Sequence, residues 1–215
     1  MQRTIHCLLN IGLFIMLISH LNKAYGEEWQ LEKSQHNVQI FSRAPSPESP
    51  SSIKHIRART EINAPPQAFI ALLNDTASAA EWIHNCVKVE IIAGHQSSTK
   101  IVHSLFSPPW PLRKRDMVTQ STTQSGDGIV TIEIIDVGHA YPHNANTVRM
   151  RDIQGQWRLT AIDPQRTEVV YEGKGDPAGN IPGWLANQVI IDSTFVTFTA
   201  MVKIIEQRWP HQVNN

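Results

Sequence analysis

From Trp184 to Trp209 the chain contains neither Gly nor Pro, and Pro182-Gly183 and Pro210 bracket the run. As an α-helix it is about 39 Å long, which demands one broad surface to lie against. Trp184, Ile191, Phe195, Phe198, Val202, Ile205 and Trp209 follow a helical spacing of threes and fours, with Gln188 filling the one gap. Val189-Ile190-Ile191 and Phe195-Val196-Thr197-Phe198 are rich in strand-forming residues. Length overrides them, because strands rarely exceed about ten residues. Apolar residues cover much of the circumference, so the helix is predicted to be mostly buried.

The partner surface is legible upstream. Ile53–Ile62 alternates, with Ile56, Ala58, Thr60 and Ile62 on one face and His55, Arg57, Arg59 and Glu61 on the other. Asn63-Ala64-Pro65-Pro66 then starts a helix, where proline's missing N–H costs nothing, and Phe69, Leu72 and Leu73 give it an apolar stripe. Further strands are predicted at Val38–Phe41, Val87–Ile92, Thr99–Leu105, Asp116–Thr123, Gly128–Val137, Thr147–Arg151, Gln156–Ile162 and Thr167–Gly173, separated by turns such as Ser125-Gly126-Asp127-Gly128 and Asp163-Pro164. Strands this closely spaced predict an antiparallel sheet, since parallel pairing needs long crossovers. Glu28–Gln35 is predicted as a short helix stopped by Asn37, and the proline-rich Ala44–Ser52 as loop. The fold class is therefore α+β: one domain, a large antiparallel sheet around a long C-terminal helix.

The N-terminus reads differently. Arg3 precedes the apolar run Ile11–Ile18, and Ala24-Tyr25-Gly26 places small residues where a signal peptidase needs them. Residues 1–26 are read as a signal peptide and 27–215 as the mature domain, which is periplasmic or secreted. Cleavage removes Cys7, leaving Cys86 unpaired and expected to be a small buried residue.

Chemistry is sparse. Lys+Arg and Asp+Glu balance at 19 each, which argues against a general nucleic-acid binder. The nucleophile-elbow, zinc-protease, phosphate-loop and Cys-x-x-Cys patterns are absent. His139 and His143 flank Tyr141-Pro142 in a loop and are read as solvated, so no metal, cofactor or catalytic residue is predicted. Glu133 shares a face with Ile129, Thr131, Ile135 and Val137. A carboxylate there is exposed, paired, or a polar anchor inside a cavity.

The order of motifs resembles START domains, the lipid-binding helix-grip family. Trp29 with Val38-x-Ile40-Phe41-x-Arg43 resembles its opening, and Ala58-x-Thr60-x-Ile62 with Ala64-Pro65-Pro66 its second strand and following helix. Trp82-Ile83-His84-Asn85-Cys86-Val87 is similar to its Trp-Asn segment, with the His-Asn order a departure. Pro109-Trp110-Pro111 before Arg115-Asp116 is the most specific match, supported by Gly155-x-Trp157 and by Asp176-Pro177-x-Gly179-x-Ile181-Pro182-x-Trp184-Leu185-x-Asn187.

The resemblance implies a secreted bacterial-type member, a monomer with a tunnel for a lipid or other hydrophobic small molecule, with transient membrane contact. The last helix and the loop Gly138–Asn146 would act as lid. The residues expected to line the tunnel are Trp82, Phe106, Trp110, Glu133, Tyr141, Arg149, Trp184, Ile191, Phe195 and Phe198. Sterol-binding members carry an acid–arginine pair, whereas Tyr141-Pro142 is followed here by His143, which argues against a sterol. Arg115 and Asp116 are read as structural, because neighbours on a strand face opposite ways. Lipid transport or sensing outside the cytoplasm is the expected function. The alternative is a cyclase- or hydrolase-like enzyme using Glu133 or His103 in the same cavity.

The leader assignment has a direct check. Protein recovered from the extracytoplasmic fraction should have the intact mass of a chain starting at Glu27; a mass that includes residues 1–26 overturns it.

Overall fold

The computed structural model describes residues 28–46, 48 and 51–209. The leader and its cleavage site lie outside the described residues.

Among the described residues, ten strands form one sheet: β1 (Gln30–Gln35), β2 (Val38–Arg43), β3 (His55–Ile62), β4 (Cys86–Ala93), β5 (Thr99–Phe106), β6 (Arg115–Gly126), β7 (Ile129–Asp136), β8 (Val148–Arg149), β9 (Arg151–Asp163) and β10 (Arg166–Asp176). Their order is β1-β2-β3-β10-β9-β7-β6-β5-β4, and β8 pairs with β6. Every pairing is antiparallel except the two-residue parallel contact of β8 with β6. Register shifts in β1, β4 and β10 bend the strands locally, and the sheet curves around α3 (Gly183–Arg208). Two smaller helices, α1 (Pro66–Asn74) and α2 (Ala79–Trp82), connect β3 to β4.

The alternation predicted for β3 is present: Ile56, Ala58, Thr60 and Ile62 are all at most 2% exposed. They join Val38, Ile40, Phe69, Leu72, Leu159 and Val169 in the core. Asp127 and Gly128 both have positive φ, which gives the β6–β7 hairpin the backbone twist its strands require.

Residues Glu28–Gln35 correct the helix expectation. They include strand β1, which turns into β2 through His36 and Asn37, both left-handed with φ of 50° and 61°. Asn37 adopts the predicted conformation but turns a hairpin instead of ending a helix. Side chains hold the strand in place: Ser42 Oγ donates to Glu32 Oε1 at 2.5 Å, as does Lys54 Nζ at 2.9 Å. Arg43 and Arg57 lie over the Trp29 ring at 4.7 and 4.2 Å.

Helix α3 occupies the predicted run, but only Ala186, Ile191, Phe198, Met201 and Ile205 are fully buried. The expectation of general burial fails because a second face borders empty space. Its contacts with the sheet concentrate on β2 and β3. Phe198 stacks on Trp157 with ring centroids 5.4 Å apart and planes inclined 14°. Trp157 in turn meets Phe69 at 4.9 Å and Tyr171 at 4.7 Å. Polar clamps fix the helix along its length. Asn187 accepts from Lys54 N and donates to Ser52 O, Lys33 pairs with Asp192, and Arg208 bridges Asp75 and Glu81.

Candidate functional site

Where α3 departs from the sheet, a cavity of about 460 Å³ remains, within the usual range for small-molecule sites. Strand parity decides who lines it. On β5, Val102, Ser104 and Phe106 face inward; on β6, Met117, Thr119 and Ser121; on β7, Ile132 and Ile134. Helix α1 adds Ile70 and Leu73, and α3 adds Ala186, Val189, Ile190, Ser193, Thr194, Thr197 and Phe198 at helical spacing. Tyr171 also faces the cavity, and its ring needs a slot. Gly173, paired across the sheet with Gly155, supplies that slot, since a Cβ there would sit 2.3 Å from the Tyr171 Oη. Burial pushes the Tyr171 hydroxyl up to about 12.

Of the ten residues expected to line the site, Trp82, Phe106 and Phe198 stand on its wall. The other seven lie elsewhere. Trp110 is 92% exposed, although Pro108 and Leu112 beside it line the cavity. Trp184 is 74% exposed between the lining residues Ile181 and Ala186. Ile191 is buried in the core, and Phe195 packs against that core with Lys33 Nζ 5.4 Å from its ring centroid. Tyr141 is partly exposed in its loop. Glu133 is exposed on the outer face, because Val130, Ile132 and Ile134 form the inward set of β7. Both apolar sets on that strand read alike in sequence, and a one-residue difference in parity reverses the assignment.

Arg149 serves the outer face of the sheet. Its Nη2 and Nε donate to Asp116 Oδ2 at 2.7 and 2.9 Å, and it also bonds the carbonyls of Gly138 and Pro142. His103 Nε2 lies 3.1 Å from the same carboxylate, and Thr147 Oγ1 donates to its other oxygen at 2.9 Å. This network ties down the segment expected as a lid, and no residue of Gly138–Asn146 lines the cavity. His103 and Glu133, the two acid–base candidates, are likewise absent from its wall.

Three further features were not anticipated. Arg115, expected to be structural, is 7% exposed and lines the cavity. Trp82 Nε1–H is buried without a hydrogen-bond partner among the described residues. The Ser/Thr-containing stripe on α3, not the aromatic one, forms most of that helix's contribution to the wall. The i, i+3, i+4 run beginning at Ala186 was visible in the sequence, but its small residues carried less weight than the adjacent aromatics. Cys86 is partly rather than fully buried, and burial pushes its thiol up.

Burial drives the Asp116 carboxyl up, yet hydrogen bonds from Arg149, Thr147 and His103 outweigh it and hold the group below its ordinary value. The resulting stabilisation is complete above the unfolded-state value of about 4 and is lost as pH falls through the lower folded value. An Asp116→Asn variant should be about 3 kcal/mol less stable at neutral pH, because Arg149 loses its buried partner. Its urea-derived stability should also fall less steeply below pH 4 than that of the parent. An unchanged acid slope contradicts this role.

The START domain family model matches residues 16–208. A protein of Pseudomonas aeruginosa whose function is uncharacterised is 28% identical over 86% of this chain and 90% of its own length. The crystal structure of a STAR-related lipid transfer protein from Xanthomonas axonopodis superposes with a TM-score of 0.75 and 27% identity, covering 83% of this chain and 99% of that one. Human START domain-containing protein 10 is 24% identical over 82% of this chain and 60% of its own length.

Proposed function

The chain belongs to the START domain family, and on that premise we propose that it binds one lipid in the cavity beneath α3 and carries or senses it outside the cytoplasm. The observation that carries this reading is the largely apolar wall that α1, α3 and the sheet build around a cavity instead of closing on one another. Each methylene transferred there from water contributes about 0.8 kcal/mol, so a single acyl chain supplies most of the affinity and polar groups need only orient one end.

The reading is of binding without chemistry. His103 is engaged with Asp116, and neither it nor Glu133 lines the cavity. Extracytoplasmic action follows from the leader read at residues 1–26. Exchange of lipid with a membrane takes place at the cavity mouth, where the exposed Trp110 and Trp184 adjoin lining residues. Indole rings favour the membrane–water interface. The protein acts as a monomer.

A cavity-filling substitution tests the reading without removing core packing. Thr194→Trp projects a large ring from the cavity face of α3. The variant should retain the parent's circular dichroism and lose at least tenfold in affinity for a fluorescent acyl lipid. The parent should carry one lipid mass in native mass spectrometry. A folded variant that binds like the parent contradicts the cavity as the site.

A further inference from the structure

Arg115 and Asp116 open β6 and face opposite ways. Asp116 has its own cation, Arg149, on the outer face. Arg115 turns inward, and among the described residues no carboxylate pairs with it. Its Nε donates to Pro177 O at 3.1 Å and its Nη1 to Arg113 O at 2.6 Å; among the described residues no acceptor engages Nη2. Burial, and after it the charge of a second cation, Arg113, weigh against its charged form. Two carbonyls offset only part of the cost of burying a guanidinium, which without a counter-charge amounts to several kcal/mol.

The rest of the wall does not supply that charge. Lys100 and Lys174 also line the cavity, and Asp75, the one carboxylate on its wall among the described residues, is paired with Arg208 at 2.7 Å. The loop whose Pro177 carbonyl Arg115 holds runs on to the N-terminus of α3. That helix end has no side-chain cap and no acid in its first turn, so its positive pole is unopposed. A separate observation points the same way. Cys86, Phe106, Arg115 and Val148 stand in register across β4, β5, β6 and β8. Arg115 therefore lies at the end of the sheet reached from α2, the helix that ends at Trp82, whose buried indole N–H has no acceptor among the described residues.

We propose that the ligand is an anionic amphiphile whose oxyanion head, a carboxylate or a phosphate, pairs with the Arg115 guanidinium while its chain fills the apolar cavity. The inference rests on the lipid-binding reading above and adds the charge of the ligand. Arginine suits the role because its planar fork stays charged when buried and offers parallel donors to an oxyanion. A neutral ligand leaves the guanidinium unpaired.

The test uses the full chain with three fluorescent probes: an NBD-labelled dodecanoic acid, its methyl ester, and an NBD-labelled lysophosphatidic acid. At least one acidic probe should bind tenfold or more tightly than the ester, and the tighter of the two assigns carboxylate or phosphate. Arg115→Met should abolish that preference, while Arg115→Lys retains part of it. Because Arg115 also tethers Pro177 and Arg113, the comparison of acid with ester on the unaltered chain stands as the primary readout and needs no variant. Equal binding of all three probes overturns the charge assignment and leaves the cavity reading intact. So does a folded Arg115→Met that keeps the preference. Failure of every probe to bind overturns both.

Discussion

The aromatic cluster of Phe69, Trp157 and Phe198 decides where α3 sits. Trp157 is the middle ring, meeting Phe69 of α1 on one side and Phe198 of α3 on another. Aromatic contacts of this kind add about 0.5–1.5 kcal/mol each beyond the area they bury. They draw α3 onto the half of the sheet containing β2 and β3, where Met201 and Ile205 complete the seal. The remaining strands, β4 to β7, curve past the helix without closing on it. The cavity is thus what remains when a long helix rests against only one half of a curved sheet.

That arrangement explains why α3 is long and apolar yet incompletely buried. By length and composition the helix resembles a membrane span. In this fold the same composition covers core on one face and cavity on the next. The polar clamps at Asn187, Asp192 and Arg208 hold it in register over this divided surface.

The sequence made the architecture legible wherever one residue pattern had one physical outcome. Uninterrupted helical spacing located α3, and clean alternation located β3. It failed where two outcomes shared a pattern. Residues 28–35 lack a decisive period, and only pairing with β2 makes six of them a strand. On β7 both faces carry isoleucines, so Glu133 was open to assignment inside until β6 and β9 fixed the register. Trp110 and Trp184 resemble cavity aromatics in composition, but their loop and helix-end positions turn them outward. Arg115 and Asp116 face opposite ways as strand neighbours, but only the course of the sheet puts Arg115 on the cavity wall.

The cavity's occupancy is the point on which the account stands. A crystal structure of the full chain saturated with an acyl lipid tests it most directly. The account predicts ligand density between β7 and α3, against Ile134, Thr194 and Phe198. Density confined to the outer face of the sheet, with the cavity collapsed or water-filled, would contradict it.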